Sequence, residues 1–169
     1  MAETRPSGTP VVPDETSPVL QEVAEINKRG QLHILSRWAK RIAWLPVSAE
    51  SALEALMVFA DPGLVWIRNW EPDGPRIVAR YQELMQPEGN IDVEALRQIQ
   101  DRYGRLLIPK KERRPYLGDA ALQHLGLPTA RDAKSNVYVL IFSEGIDILS
   151  PTYRNAKNIA WHPALDGLP

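Results

Sequence analysis

The sequence predicts a mainly β chain with short helices, an α+β fold. One hairpin unit occurs twice, and the two copies close into a single β-barrel that makes the chain an intrachain pseudo-dimer. Three observations predict it. Short apolar runs alternate with polar residues at the two-residue period of strands. Glycine-containing turn signals separate those runs. Two stretches of the chain also match each other in order and spacing.

The chain has 169 residues, 44% of them hydrophobic and 24% charged, enough for one sizeable core or two small ones. It contains no cysteine, which excludes a disulfide framework, a thiol nucleophile and a cysteine-based zinc site. No apolar run approaches the roughly 18 residues of a membrane span. The N-terminus carries no apolar signal-peptide core, so the expectation is a soluble cytoplasmic protein with no membrane partner.

Residues 1–20 are rich in Pro, Ser, Thr and Gly and predict a flexible tail. The first copy of the unit covers 21–72. Val23, Ile26, Leu32 and Ile34 predict two short strands around a turn at Asn27-Lys28-Arg29-Gly30, where the glycine supplies a positive φ. Arg37 to Leu45 is a basic-aromatic stretch compatible with a helix. Ser51 to Phe59 starts as a helix and ends strand-like at Leu56-Met57-Val58-Phe59. Asp61-Pro62-Gly63 is a turn, and Leu64-Val65-Trp66-Ile67 is the returning strand. Residues 73–96 read as a helical connector. Ile77, Val78, Tyr81 and Leu84 share one face of a helix from Pro75 to Met85, and Asp92 stands near the start of a further helical turn. The second copy covers 97–152, and 153–169 is a C-terminal tail, either disordered or docked through Ile159 and Trp161.

The two copies align when Gly30 is placed on Gly104. Lys28 and Arg102 then precede the turn, Leu32 matches Leu106, and Ile34 matches Ile108. Each copy continues into a basic segment, Arg37 to Arg41 and Lys110 to Arg114. Each then has an apolar strand, a glycine turn (Gly63, Gly145) and a second apolar strand. A unit of about 50 residues buries little surface alone. Interleaving two of them closes a barrel and removes exposed strand edges.

The stretch Asp101-Arg102-Tyr103-Gly104-Arg105-Leu106-Leu107-Ile108-Pro109 resembles the D-x-x-G-R-hydrophobic-x-I-P signature of the AbrB/MraZ superfamily. The resemblance spans roughly residues 22–152 and is stronger in the second copy, because Asn27 and Gln31 replace the signature's charged pair in the first and Leu35 replaces its proline. It implies a swapped-hairpin barrel that forms homo-oligomers and binds double-stranded DNA as a transcriptional regulator. Such a protein is bacterial, cytoplasmic and associated with the nucleoid. It also implies that Asp101 and Arg105 belong to the DNA-binding face.

Net charge is -1, which by itself argues against nucleic acid. The charge is segregated, however. Residues 27–41 carry Lys28, Arg29, Arg37, Lys40 and Arg41 and no acid. Residues 97–114 carry Arg97, Arg102, Arg105, Lys110, Lys111, Arg113 and Arg114 against Asp101 and Glu112. If the two segments share a face, they can neutralise several phosphates. The expected DNA contacts are Arg102, Arg105, Lys110, Lys111, Arg113 and Arg114, with support from Lys28, Arg29, Arg37, Lys40 and Arg41. Asp101, Gly104 and Gly30 shape the turns. The competing reading is that charged hairpin tips are simply solvated.

His33, His124 and His162 are too dispersed for a metal site, and no nucleophile elbow, phosphate loop or dinucleotide fingerprint occurs. His33 stands between Leu32 and Ile34 and reads as the outer face of its strand. Neither enzyme activity nor a cofactor is expected. Trp38, Trp44, Trp66, Trp70 and Trp161 are a heavy tryptophan load; Trp66 reads as core, while Trp44 and Trp70 suit a protein interface. This supports a second expectation, a non-enzymatic assembly subunit that binds a protein through the Trp-rich first copy or the tails. A third is the antitoxin half of a toxin-antitoxin pair.

Overall fold

The computed structural model describes residues 18, 20–46, 51–86, 90–129 and 133–156. Six strands form one sheet: β1 (Leu20–Ile26), β2 (Leu53–Phe59), β3 (Leu64–Asn69), β4 (Tyr103–Ile108), β5 (Ser135–Phe142) and β6 (Gly145–Leu149). The helices are α1 (Ser36–Ala39), α2 (Asp73–Met85), α3 (Val93–Arg102), α4 (Asp119–His124) and α5 (Pro151–Ala156). The α+β class and the mainly antiparallel character match the expectation. The tails expected at 1–20 and 153–169, with Ile159, Trp161 and His162, lie largely outside the described residues.

The strand order is β1-β5-β6-β3-β2-β4, and every neighbouring pair is antiparallel. The sheet is open, with β1 and β4 as its edges, which corrects the expected closed barrel. The physical reason lies in Leu32 and Ile34. Their pattern predicts the strand after β1, but they leave the sheet after a single bridge between Ile26 and Leu32. The order has a further property: exchanging β1 with β4, β2 with β5 and β3 with β6 gives the same order reversed.

Alternation fixes which side of each strand is buried. In β5, Val137, Val139 and Ile141 are fully buried, and in β6 Ile146 and Ile148 join them. With Ala55, Met57, Phe59, Val65, Ile67, Leu106 and Ile108 they make one face of the core. That face is covered by an irregular layer of chain rather than by a second sheet. The layer is residues 27–45, including α1, and residues 109–127, including α4; it inserts Leu32, Ile34, Trp38, Leu117 and Leu122 into the core.

The opposite face of the sheet is covered in part. α2 and α3 lie over β2 and β4, and α5 packs on β5. Asp92 caps α3 by accepting from the Ala95 N–H at 3.0 Å. Over β3 and β6 the described residues leave this face open.

Two local expectations change. Ser51 to Phe59 contains no helix; β2 is extended from Leu53, because it is an inner strand paired on both sides. Gly104 is the second residue of β4 and not a turn, so the alignment of Gly30 with Gly104 does not describe this fold. A Cβ at Gly104 would approach Met57 Cε to 3.0 Å, so its small size serves close packing.

Candidate nucleic-acid interface

The layer over the core is built around one turn and one short ladder. Asn27 shapes the turn: its side-chain oxygen accepts from the N–H of Arg29 (2.9 Å) and of Gln31 (3.0 Å), and Gly30 follows at φ 78°. Lys28 and Arg29 are exposed at the tip. The chain then runs antiparallel to residues 113–117. The Leu32 N–H donates to the Pro115 carbonyl, the Ile34 N–H to the Arg113 carbonyl, and the Leu117 N–H to the Gly30 carbonyl, at 3.2, 2.9 and 3.0 Å. Gln31 bridges Tyr116. These bonds set the two basic segments side by side.

Within the layer the predicted residues have different fates. Lys40 and Arg41 are exposed just beyond α1, which is anchored by buried Trp38 and Ala39. Lys110 and Lys111 are exposed, and Arg114 is half-buried with its Nε 3.8 Å from Glu112. Arg37 forms a two-pronged pair with Glu22, Nε to Oε2 at 2.7 Å and Nη2 to Oε1 at 2.6 Å. That hydrogen bonding raises the Arg37 pKa above its ordinary value. Arg37 therefore neutralises a largely buried carboxylate and is not a spare cation. Arg113 departs furthest from expectation: it is only 8% exposed, so it cannot reach a DNA phosphate from this conformation.

His33 is half-buried rather than fully on the outer face. Burial, then the positive charge of Arg114, holds it below its ordinary pKa, with Glu112 acting in the opposite sense. At neutral pH it adds no charge to the layer.

Arg102 and Arg105 lie elsewhere. Arg105 is opposite Leu56 in the β2–β4 register, on the other face of the sheet. Its Nε is 3.2 Å from Glu54 and its guanidinium lies 4.4 Å from the centre of Trp70. Arg102 closes α3 and lies over Tyr103 at 5.9 Å. Asp101 is exposed in the last turn of α3 and orders no turn. The signature-like stretch is thus a helix-to-strand junction.

The open face holds a cleft of about 820 Å³ over Leu56, Val58, Trp66 and Arg68, walled by Trp44, Tyr103, Glu71, Asp73, Arg76, Arg102 and Glu144. Arg68 pairs with Asp147 at 2.8 Å and lies 5.2 Å from the Trp66 ring. Burial raises the Asp147 pKa against the opposing pull of Arg68. Trp66 is half-buried here, whereas Trp38 is the tryptophan of the core. Trp44 donates its Nε1–H to the Glu144 carbonyl at 2.6 Å.

Sequence reasoning missed Glu22, Arg68 and Asp147, and placed Asn27 in its turn without the hydrogen bonds its side chain accepts. Asn27 at the start of a turn is a readable signal; the partnerships of Glu22 and Asp147 are long-range and have none. Among the described residues no group of His, Asp and Glu is arranged to hold a metal ion. Nor is any helix there long and apolar enough to cross a membrane. Comparison with protein-family models and with curated proteins finds no match.

Proposed function

We propose that this chain binds double-stranded DNA through the layer formed by residues 27–41 and 109–117 and acts as a transcriptional regulator of the AbrB/MraZ type. The observation that carries the reading is the ladder between residues 30–34 and 113–117. It gathers Lys28, Arg29, Lys40, Arg41, Lys110, Lys111 and Arg114 in one layer of a chain whose net charge is only -1. Arg102 and Arg105 belong to the opposite face and have no part in it.

The reading includes a duplication with strand exchange, at a shift of 83 residues. Leu20 pairs with Ile141 and Tyr103 with Val58, and this shift carries one pair onto the other. The same shift carries Gly30 onto Arg113, both left-handed, and Ser36, where α1 begins, onto Asp119, where α4 begins. It also carries Lys28 onto Lys111, so each copy offers a basic turn tip.

The test is a fluorescence-anisotropy titration of duplex DNA from upstream of the protein's own gene, beside random duplex, at several salt concentrations. Lys110→Ala with Lys111→Ala weakens binding and lowers the salt slope by about 0.9 for each phosphate no longer neutralised. Arg76→Ala, on α2, changes neither. Equal affinity and slope in the double variant and the parent overturns the proposal. A second reading, a protein-assembly subunit, is favoured by the open cleft with Trp44 and Trp66 on its walls. It takes precedence if the parent binds no DNA at low salt.

A further inference from the structure

Arg113 is the most anomalous residue of the layer. Along residues 113–117 burial alternates: Arg113, Pro115 and Leu117 face the sheet, while Tyr116 faces solvent. Arg113 therefore directs its guanidinium inward. Neither Nη1 nor Nη2 finds a hydrogen-bond partner among the described residues, and both are closed off from solvent. An uncompensated buried cation is among the least favourable arrangements a fold can hold. In the sequence Lys110, Lys111 and Arg114 flank it, and the one acid of the segment, Glu112, is 79% exposed and lies 3.8 Å from Arg114.

Two further observations sharpen the anomaly. Arg113 occupies a left-handed backbone position, φ 44°, where an arginine is disfavoured. In the same layer, α1 buries a second donor that has no partner among the described residues, Nε1 of Trp38. Both orphaned groups are donors only, since neither guanidinium nor indole N–H can accept. What they lack is an acceptor, and for the guanidinium one bearing negative charge and two oxygens in a plane.

We infer that the segment Lys110 to Arg114 is an anion site, in which Arg113 binds a tetrahedral oxyanion of the phosphate class that is enclosed as the layer folds. Because the nitrogens are closed to solvent, binding is coupled to folding, and occupancy appears as stability that grows with the logarithm of anion concentration. The oxyanion is free phosphate, because a DNA backbone cannot reach nitrogens closed to solvent. This inference does not depend on the DNA reading.

The experiment is thermal unfolding of the full chain at constant ionic strength, with inorganic phosphate replacing chloride, and separately with a short duplex. The variants are Arg113→Met, which removes the charge and keeps an unbranched apolar stem, and Lys40→Ala with Arg41→Ala, which leaves the anion site intact. In phosphate-free buffer Arg113→Met unfolds at the same or a higher temperature than the parent. Phosphate at about 100 times its Kd raises the parent's Tm by about 5–10 °C and leaves Arg113→Met unmoved. A rise produced by the duplex alone, and only with Arg113 present, overturns the inference, because a DNA phosphate cannot reach an enclosed guanidinium. The Lys40/Arg41 variant keeps the phosphate response even if it loses DNA, so failure of one proposal is separable from failure of the other. An Arg113→Met chain that fails to fold or melts below the parent without phosphate overturns the inference, because the chain itself would then satisfy the guanidinium. So does a parent that responds to phosphate no more than to chloride.

Discussion

Replacing Gly145 by alanine tests the seam between β3 and β6, on which the strand order depends. Gly145 stands opposite Arg68 in that pairing, at φ 154°. A Cβ there would lie 1.9 Å from the Ile67 carbonyl oxygen and 3.1 Å from its carbon. Ordinary carbon–oxygen contact needs about 3.3 Å, so the overlap exceeds roughly 1 Å. The obstacle is backbone, which has no rotamer to escape through. The strands must separate locally, and Ile67 and Ile146, both fully buried, move with them. Strain and loosened packing of this kind cost about 2–4 kcal/mol. For a chain of this size each kcal/mol lowers Tm by about 2–4 °C, so a fall of about 4–16 °C is expected. Gly30→Ala is the control. It also forces a left-handed alanine, at φ 78°, but the new Cβ meets only Leu122 Cδ1 at an ordinary 3.6 Å. Its cost is about 1–2 kcal/mol. Circular dichroism melts and urea titrations measure both. If Gly145→Ala is no less stable than Gly30→Ala, the register of β3 on β6 is wrong and the strand order falls with it.

Asp147 gives a pH prediction. Its folded pKa is raised, so the folded chain holds this proton to higher pH than the unfolded one does. That contribution is fully present below the unfolded value of 3.8 and is lost as pH rises through the folded pKa. Asp147→Asn therefore gains stability relative to the parent as pH rises from about 4 to about 7, and urea midpoints that differ by a constant amount across that range refute the assignment. Arg37→Ala strips the partner from Glu22, whose side chain is only 11% exposed. Because Arg37 itself is 61% exposed, the loss is held to about 1–2 kcal/mol, seen in Tm and not in the salt slope of DNA binding. Arg105→Ala removes an exposed pair with Glu54 and a stack on Trp70, worth at most about 1 kcal/mol, and leaves DNA affinity unchanged in the anisotropy titration.

Legibility followed the range of the interaction. The second hairpin was readable to within two residues, since the apolar run Val137 to Phe142 and the run that follows Gly145 bracket a short turn. The connector helix was readable from Ile77, Val78, Tyr81 and Leu84. β2 was not. Leu53-Glu54-Ala55-Leu56-Met57 is made of helix formers, and its strand state is imposed by pairing with β3 and β4 from both sides. The closed barrel failed for a related reason: the pairing of residues 30–34 with 113–117 joins segments far apart in the chain and carries no local signal. The basic segments were legible as composition, but not the division of their members. Lys28 and Lys111 lie exposed while Arg113 turns inward, because the ladder sets which residues alternate toward the sheet.

On the DNA reading, and on the duplication proposed with it, two copies in one chain differ from a homodimer in one respect. In a homodimer the two turn tips are identical, and a two-fold site reads equally from either end. Here the tips have diverged. Lys28 is followed by Arg29, whereas Lys111, 83 residues on, is followed by Glu112. Gly30 is open turn, whereas its counterpart Arg113 is buried beneath the layer. The opposite face diverges as well, with the 13-residue α2 after β3 and the 6-residue α5 after β6. A carboxylate at one tip repels the phosphate that the arginine at the other attracts, so the two halves of a DNA site bind with unequal strength. Glu112→Arg restores the symmetry of charge. It should tighten binding and raise the salt slope, and it should do so most on a duplex whose two halves are identical.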